Sequence, residues 1–484
     1  MTTHAKGMGL AVMALLLMGG FLAAFPAKAD NVQTQVTESS GPTDMLDGGD
    51  HRFVRFGADA AFGVVWGTVA HPNYVYLVAL KAQYLGVVDV STVAGAKVRD
   101  DVPLRVYTLY AVKLESLLEF QDVNHDGIAN FERRVALDGR NFTSYIESEP
   151  LYKRVSLKTA WTPSEMIKTE DAATGRRTYE FSLTATNLSY EPLPNATVVS
   201  GVLDAVTFTF HLDVGVRHVD NHTVPQYAVT VARGPRGGLV FTNATRAGET
   251  TWSGDVLTYK LKWDQAISGW DFDAANTADP GVFLEMQALL VHRIPADREE
   301  WFDAAVIGRL NEGGSLQYSD GTTNRTMRGL EGTYSTPKRI VGGNIALGGS
   351  WERVGRLTWV SNATVDGNPG VVYAQVLGGI PLLFRSENAL WFGFGVLIGL
   401  SFPGGAEILH DPVQESDAFV IAPATTSPRV PVGLVLLLVL AAVGVVGAIV
   451  ALQRKDKGKR LQEAYRQEPP ANGQPQDWTK YYQR

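Results

Sequence analysis

The middle of the chain alternates hydrophobic and polar residues with a period of two. Residues 179–183, 206–216 and 257–263 each place apolar side chains at every second position, with mostly polar residues between them. Such alternation is typical of antiparallel strands that have one buried and one solvated face. Clusters of Gly, Asn, Asp and Pro separate the runs and predict turns. The pattern therefore predicts a mainly β protein, built from two or three antiparallel β-sandwich-like modules.

Two long hydrophobic segments predict the topology of the chain. The first occupies residues 8–25 behind Lys6, and the sequence AKA at residues 27–29 matches the small-residue pattern that precedes a signal-peptidase site. Residues 1–29 are therefore predicted to be a cleaved signal peptide. The alternative is an uncleaved signal-anchor helix.

The second segment, residues 432–452, contains 21 residues without a charge. A helix of this length spans about 30 Å, the hydrocarbon thickness of a bilayer. Five basic residues lie within residues 454–460, which is a positive-inside signal, and residues 422–431 form a Pro/Thr-rich stalk. These flanks favour a transmembrane helix over a buried core helix. The prediction is an N-terminal ectodomain outside the cell membrane and a short tail, residues 453–484, in the cytoplasm.

A third apolar run, residues 389–402, has only 14 residues and is too short to span a bilayer. Because it is continuous and bounded by polar residues, we expect a buried strand or a strand pair.

Changes in composition divide the rest of the exterior part. Residues 30–50 are polar and lack periodicity, so we expect a flexible leader there. Polar stretches near residues 162–176 and 311–330 indicate boundaries between modules. The predicted modules are a β-rich module with a calcium loop at 51–165, a β-sandwich module at 166–310 and a β-rich membrane-proximal module at 311–421.

The charge of the protein is unevenly distributed. The full chain has a net charge of −7, but residues 30–429 carry 33 basic and 46 acidic residues, a net charge of −13. An acidic exterior is poorly suited to nucleic acid, because binding to phosphates needs clustered Lys and Arg. The chain also has no cysteine, which excludes a disulfide scaffold, a Cys nucleophile and a thiolate metal site.

The most specific chemical motif is the sequence DVNHDGIANFE at residues 122–132. Oxygen-bearing side chains occupy positions 1, 3 and 5 of this loop, and a glycine at position 6 permits a sharp turn. Calcium requires about six to eight oxygen ligands, so the motif predicts a calcium site; the alternative is an Asx-rich turn that binds nothing. The predicted ligands are Asp122, Asn124, Asp126, the backbone oxygen of Ile128, Asn130 and Glu132.

This loop resembles the calcium loops of EF-hand and dockerin modules, and its first six residues, DVNHDG, are especially similar to dockerins. It departs from both families at position 12, where a bidentate acid is usual and this chain has Arg133. Glu132, one position earlier, is expected to replace that acid. The residues before the loop fit a strand and a helix equally well, so the loop does not by itself imply the two helices of an EF-hand.

Seven Asn-x-Ser/Thr triplets lie between the two long hydrophobic segments, and none has proline in the middle. Such triplets are acceptors for N-glycosylation in exported proteins. The alternative is a Thr-rich β surface with asparagines in its turns. The predicted glycosylation sites are Asn141, Asn187, Asn195, Asn221, Asn243, Asn324 and Asn362.

Glycosylation sites in an exported chain without cysteine argue against a typical eukaryotic ectodomain. The overall layout resembles that of archaeal single-pass cell-surface glycoproteins. Some envelope proteins of that class have a Pro-Gly-Phe tripeptide before the last helix, for cleavage and lipid attachment. Here residues 429–433 have the sequence RVPVG, so we expect the C-terminal helix to be retained.

No catalytic constellation stands out in the sequence. His218, Asp220 and His222 could share one face of a strand and hold zinc, but the glycosylation triplet among them favours a polar turn at a hairpin end. His410 and Asp411 precede a proline, which predicts a turn rather than a catalytic dyad.

Together these patterns favour one functional hypothesis. It is a non-enzymatic cell-surface glycoprotein with a calcium-stabilised β-sandwich ectodomain, acting in adhesion, envelope structure or binding of an extracellular ligand or envelope protein. Calcium is the expected cofactor, and no nucleic-acid partner is expected. The alternative is a membrane-tethered extracellular hydrolase acting on polysaccharide or peptide, for which the sequence offers no specific motif.

Overall fold

The computed structural model describes residues 36–43, 49–56, 59–89, 104–135, 143–147, 149–197, 201–233, 239–295, 315–319, 324–328, 338–340, 344–348, 353–386 and 389–421. Within these ranges the regular structure consists of β-strands. No helix within these ranges has the length and apolarity needed to cross a membrane. The predicted signal peptide, stalk, transmembrane helix and cytoplasmic tail lie outside the described ranges.

The strands of the first half of the chain are β1 (Val36–Thr43), β2 (Gly49–Phe56), β3 (Ala60–Trp66), β4 (Val75–Asp89), β5 (Leu104–Gln121), β6 (Phe131–Val135), β7 (Thr143–Glu147), β8 (Leu151–Ser156), β9 (Thr162–Pro163), β10 (Ile167–Asp171), β11 (Arg176–Pro192), β12 (Val202–Arg233) and β13 (Leu239–Ser268). Those of the second half are β14 (Pro280–Pro295), β15 (Ser315–Ser319), β16 (Asn324–Arg328), β17 (Lys338–Ile340), β18 (Asn344–Gly348), β19 (Arg353–Trp359), β20 (Asn362–Val365), β21 (Asn368–Val371), β22 (Tyr373–Ser386), β23 (Ala389–Pro403), β24 (Glu407–His410) and β25 (Pro412–Ile421).

Apart from β6 and β7, these strands form two sheets in which neighbouring strands run antiparallel. The front sheet has the order β1-β2-β3-β4-β5-β14-β23-β22-β17, with β8 paired to the end of β5. The back sheet has the order β10-β11-β12-β13-β25-β19-β18-β15-β16, and β24, β20 and β21 extend it from β13. Pairing of β11 with β8, and of β12 with β4, connects the two sheets. A separate ribbon consists of β6 and β7.

The core lies between the inner faces of the two sheets, where the predicted alternation is confirmed. Phe210 of β12 lies opposite Phe181 of β11 and Trp263 of β13, and all three side chains are buried. From the front sheet, the ring of Phe62 stacks on Tyr259 with the ring centroids 3.7 Å apart. Burial of such large rings is the main source of stability in a sandwich core. The prediction of a mainly β, antiparallel fold is therefore confirmed.

Strands from all three predicted modules hydrogen-bond within the same sheets. β14, from the second predicted module, lies between β5 of the first and β23 of the third. Met286 of β14 is opposite Leu114 on one side and Ile398 on the other, and all three side chains are buried. The described strands therefore form one sandwich, and the boundaries expected near residues 165 and 310 do not separate independent cores. Local composition indicates turns, but it does not show which distant strands pair.

The expectation of a flexible leader is corrected for residues 36–43 and 49–50, which are strand residues. β1 pairs with β2 along its whole length, from Val36 opposite Phe56 to Thr43 opposite Gly49. Its side chains are mostly polar, and they help to hold the strand in place: Glu38 pairs with Lys168 at 2.5 Å and accepts a hydrogen bond from Tyr179 at 3.1 Å. A strand of this kind has no hydrophobic alternation, which is why the sequence pattern did not reveal it.

The polar turn expected around Asp220 is also corrected. β12 continues through this point and stays paired with β13, with a bulge between Val219 and His222. A bulge accommodates an extra residue by bending one strand, so a polar, turn-like sequence can remain inside a long ribbon.

The apolar run at residues 389–402 is a strand, as expected. It forms β23, which lies between β14 and β22. Alternate residues of β23, such as Ile398 and Leu400, are buried in the sandwich core.

Candidate metal centre

The predicted calcium loop connects two strands. β5 ends at Gln121 and β6 begins at Phe131, so no helix flanks the loop on either side. The residues before the loop, which fitted a strand and a helix equally well, are a strand. Similarity to EF-hands is therefore limited to the loop, whose orientation is set by the front sheet.

The backbone of the loop folds back over its own oxygen-bearing side chains. Asp122 accepts hydrogen bonds from the N–H groups of Asp126 at 3.1 Å and of Gly127 at 2.7 Å. Asn124 Oδ1 accepts a second bond from the N–H of Asp126 at 3.0 Å, and Asp126 Oδ1 accepts one from Ile128 at 2.9 Å. These bonds bring loop positions 1, 3 and 5 together on one side of the turn.

The loop conformation requires a glycine at position 6, Gly127, for two independent reasons. Its φ is 77°, in the left-handed region that favours glycine. A Cβ at this position would also lie 2.2 Å from Cε2 of Tyr373, which is far closer than any van der Waals contact. The sharp turn predicted from the motif therefore also depends on β22, to which Tyr373 belongs.

A third carboxylate, Glu149, reaches the loop from the residues just before β8. Asp122, Asp126 and Glu149 offer carboxylate oxygens that all lie within 4.8 Å of one another. The N–H of Asn130 donates to Glu149 Oε2 at 2.7 Å, and the N–H of Glu149 donates to the Asn130 carbonyl at 3.3 Å. Sequence reasoning missed Glu149, because no spacing rule connects it to a motif that ends at residue 132.

The carboxylate of Glu149 is poorly solvated. The residue is only 3% exposed, and Oε1 has no hydrogen-bond partner among the described residues. Burial, together with the negative charges of Asp122 and Asp126, raises the pKa of Glu149 above its usual range, against the hydrogen bonds from Asn130, which lower it. A divalent cation among the three carboxylates would neutralise charges that otherwise repel one another in a low-dielectric site.

Glu132, the acid expected from the sequence, lies in β6 opposite Ile146 of β7. Its side chain is outside the described part of the structure, so its role as a ligand stays a prediction. Asn130, at loop position 9, does lie at the site. Its Nδ2 is 3.4 Å from Asp126 Oδ2 and 3.4 Å from the carbonyl oxygen of Ile128, another predicted ligand.

The end of the loop is attached to the front sheet through buried hydrogen bonds. The N–H of Ala129 donates to Ser401 Oγ at 3.3 Å, and the Ala129 carbonyl accepts a bond from Gln375 Nε2 at 2.8 Å. Ser401 Oγ also donates to Gln375 Oε1 at 3.1 Å, which fixes the two anchoring side chains relative to each other. The loop is therefore positioned by residues of β22 and β23 that lie more than two hundred positions later in the chain.

The beginning of the loop is attached to the segment that leads into β14. The N–H of Asp122 donates to the carbonyl oxygen of Asp279 at 3.0 Å. The Nδ1 atom of His125 contacts the carboxylate of Asp279. Both side chains of this second contact are largely exposed. The loop thus joins β5, β8, β14, β22 and β23 at one end of the sandwich.

The histidines considered for zinc do not converge on one point. His218 Nδ1 lies 2.8 Å from Asp255 and Nε2 lies 3.4 Å from Asp220, and the hydrogen bond with Asp255 raises the pKa of His218. The ring of His222 instead stacks on Phe419 at a centroid distance of 3.9 Å.

The turn expected at His410 and Asp411 is corrected, because β24 and β25 pair with β13 in one continuous register through these residues. The two side chains have different partners and do not form a catalytic dyad. His410 is buried, and its Nε2 lies 2.8 Å from the carbonyl oxygen of Val360. Burial lowers the pKa of His410. The carboxylate of Asp411 pairs with Lys262 at 3.3 Å instead.

Four of the seven glycosylation triplets have described side chains at the asparagine, and all four asparagines are exposed. These are Asn187, Asn195, Asn221 and Asn362. Exposure is a physical requirement for carrying a glycan on a folded domain. Asn243 and Asn324 lie in strands β13 and β16 with undescribed side chains, and Asn141 lies outside the described ranges.

No protein-family model, curated protein or solved structure matches this chain. The chemistry and placement of its own residues are therefore the basis for assigning a function.

Proposed function

We propose that this protein is a single-pass cell-surface glycoprotein whose β-sandwich ectodomain is stabilised by calcium. The observation that carries the proposal is the buried Oε1 atom of Glu149, which has no hydrogen-bond partner among the described residues and lies beside Asp122 and Asp126. Leaving a buried carboxylate oxygen without a partner is costly unless a cation or water satisfies it. A hard cation with oxygen ligands fits this donor set, which contains neither sulfur nor imidazole.

The proposed ligands combine the sequence motif with the remote acid. Asp122, Asn124 and Asp126 provide side-chain oxygens, the backbone of Ile128 provides a carbonyl oxygen, and Asn130 binds directly or through water. Glu149 takes the place of the bidentate acid that EF-hand loops carry at position 12. This set contains three negative charges and about six oxygen donors, which is enough for calcium.

The proposed role of the ion is structural. Ligands from the end of β5 and the start of β8 meet at the ion, and the same loop is hydrogen-bonded to β14, β22 and β23. A ligand that binds only the folded state stabilises it by RT ln(1 + [Ca²⁺]/Kd), about 2.7 kcal/mol at a calcium concentration of ~100 Kd. Extracellular calcium modules usually bind with a Kd of about 10⁻⁴–10⁻³ M, so occupancy of the proposed site would follow the calcium concentration outside the cell.

The cell-surface location rests on the sequence. A signal peptide at residues 1–29 and a transmembrane helix at 432–452 would place residues 51–421 outside the cell, where calcium is abundant. The exposed asparagines support glycosylation of the same region. We propose adhesion, envelope structure or binding of an extracellular ligand or envelope protein as the role of this ectodomain.

Calcium titration of the full-length protein tests the proposal. The protein is purified in mild detergent, stripped with EDTA and titrated with CaCl₂ in a calorimeter, and its Tm is recorded with and without calcium. We expect a saturable heat and a rise in Tm for the wild type, and loss of both in Asp126→Ala. Glu165→Ala, which removes an exposed acid away from the loop, is the matched control and should behave as wild type. A wild-type protein without calcium heat, and with the same Tm in EDTA and calcium, contradicts the proposal.

A further inference from the structure

The backbone is strained at Asp279, the residue that precedes Pro280. Asp279 has a φ of 43°, in the left-handed region that non-glycine residues rarely adopt. The next residue is a proline, whose Cδ crowds the preceding residue and favours an extended conformation for it. Strain of this kind persists only where the surrounding structure enforces it, and it is often found at functional sites.

The segments on both sides of the bond between Asp279 and Pro280 are held firmly. Upstream, the N–H of Asp273 and Nδ2 of Asn276 both donate to the buried Glu119, at 2.9 and 3.0 Å. Downstream, Pro280 is the first residue of β14, which is paired with β5 on one side and β23 on the other. The chain therefore has little freedom to relax the conformation of Asp279.

The candidate calcium loop contacts both reactive groups of Asp279. The N–H of Asp122 donates to its main-chain carbonyl oxygen at 3.0 Å, which polarises the carbonyl and stabilises negative charge on that oxygen. The imidazole of His125 contacts Oδ2 of its side chain and orients the carboxylate. The Asp279 side chain is 62% exposed, so water has access to it.

We propose that the chain cleaves itself between Asp279 and Pro280, with the calcium loop positioning the reacting groups. Oδ1 of Asp279 attacks its own main-chain carbonyl carbon and forms a five-membered cyclic anhydride. The bond from that carbon to the Pro280 nitrogen breaks, and the nitrogen takes a proton from solvent to become the new N-terminal amine. Water then opens the anhydride, so that Asp279 ends with two carboxyl groups and one water molecule is consumed overall. Asp279 is the catalytic residue, and His125 is a positioning residue.

The other Asp-Pro bond in the chain provides an internal control. Asp411 precedes Pro412 but has no positive φ, and Lys262 lies 3.3 Å from its carboxylate. The two bonds have the same covalent chemistry, so a difference in their cleavage rates reports on the strain and the contacts found only at Asp279.

Cleavage would leave the sandwich assembled. β14 contributes residues such as Met286 and Leu284 to the core between the sheets, and its pairing with β5 and β23 does not depend on the cleaved bond. The product would be two chains held together by the same sheets, with a new N-terminus at the edge of the calcium loop.

The inference rests on the proposed calcium site, and the test separates the two. Full-length protein is incubated at 37 °C in calcium or in EDTA, denatured and analysed by gel electrophoresis and N-terminal sequencing. We expect a fragment that begins PGVFLE, formed in calcium at least about tenfold faster than cleavage at Pro412, a difference of ~1.4 kcal/mol in activation free energy. Calorimetry on the same samples reports calcium binding independently.

Three variants complete the test. Asp279→Gly keeps the left-handed backbone and has no side-chain nucleophile, so no fragment should form. Asp279→Asn also tolerates that backbone and serves if the glycine variant does not fold; its amide nitrogen can close a five-membered imide with release of the Pro280 amine, so its cleavage should be slower than in the wild type rather than absent. His125→Ala should slow cleavage several-fold without abolishing it, and Asp411→Asn should leave it unchanged. Calcium heat with no new N-terminus at Pro280, or with equal cleavage at both Asp-Pro bonds, overturns the inference and leaves the calcium proposal intact. Absence of calcium heat overturns the proposed function instead.

Discussion

The N–H of Asn130 donates a 2.7 Å hydrogen bond to Oε2 of Glu149, an acid outside the calcium-loop motif. This contact places a buried carboxylate beside Asp122 and Asp126. The segment just before β8 thus brings a third carboxylate to the loop, and we propose that it replaces the acid that EF-hand loops carry at position 12. Arg133, which breaks the motif in the sequence, does not prevent the site from having three carboxylates.

Replacing Glu149 should weaken calcium binding more than replacing Glu132. Glu149→Gln keeps the size of the side chain and removes the charge next to the other two carboxylates. We expect the calcium Kd to rise at least about tenfold, which is ~1.4 kcal/mol of binding free energy. Glu132→Gln is the matched control and should change the Kd by less than about threefold. Isothermal titration of both variants decides between the two acids, and a larger effect at Glu132 would show that the sequence-based ligand set is correct.

The effect of calcium on Tm should grow as the pH rises above the usual range of a glutamate. Burial, with the charges of Asp122 and Asp126, raises the pKa of Glu149 from its ordinary value of 4.5 in the calcium-free folded protein. A raised pKa means that the folded state binds the proton more tightly than the unfolded state. Stability from this group is therefore fully present below pH 4.5 and is lost as the pH rises through the folded-state pKa.

Calcium should reverse this dependence of stability on pH, because the ion binds the deprotonated carboxylate of Glu149. Scanning calorimetry in EDTA and in calcium between pH 4 and about pH 8 measures the difference in Tm. In Glu149→Gln, the decrease of Tm with rising pH in EDTA should be smaller than in the wild type, since a neutral amide does not titrate. If the decrease of Tm with pH is the same in that variant as in the wild type, another group causes it, such as the buried Glu119, whose pKa is also raised by burial.

Gly127→Ala should destabilise the protein more than Gly175→Ala. Both glycines have a left-handed φ, 77° and 66°, so both substitutions strain the backbone, by about 1–2 kcal/mol each. A Cβ at residue 175 would meet no atom within 4 Å, whereas one at residue 127 would overlap Tyr373. Urea denaturation of the two variants isolates the cost of that overlap. Equal losses would mean that β22 does not constrain the loop.

Met286→Ala should lower the stability of the whole described sandwich in one transition. Met286 is 1% exposed and belongs to β14, the strand between β5 and β23. Truncating a buried methionine costs about 2–5 kcal/mol. Thermal unfolding followed by tryptophan fluorescence and by far-UV circular dichroism should shift together. Two separated transitions in the wild type would instead support independent modules.

Glycans should be found on exposed asparagines of the native protein. Mass spectrometry of peptides from membranes of the source cells should detect modification at one or more of Asn187, Asn195, Asn221 and Asn362. Asn187 has a φ of 54°, so Asn187→Gln would strain the backbone, and Ser189→Ala is the better way to remove that site. Native material with all of these asparagines unmodified contradicts the prediction.

The sequence by itself determined the strands of the core and the loop that forms one part of the candidate metal centre. Alternation along residues such as Phe208 and Phe210 predicted which faces are buried, because side chains alternate across a strand whatever its partners are. The motif at residues 122–132 predicted a tight turn rich in oxygen ligands, because its spacing acts within a few residues. Exposure of Asn221 and Asn362 also agrees with the polar context of those triplets.

Tertiary structure decided which strands are neighbours and which remote groups complete the site. β14 pairs with strands from both of the other predicted modules, and β1 is a strand without any hydrophobic alternation. Glu149, Gln375 and Asp279 meet the loop from three different parts of the chain. The local sequence does not predict these contacts, because they result from strand pairing and packing between residues that are far apart in the chain. The loop motif therefore marked the place of the candidate metal centre, and the folded sheets supplied its third carboxylate.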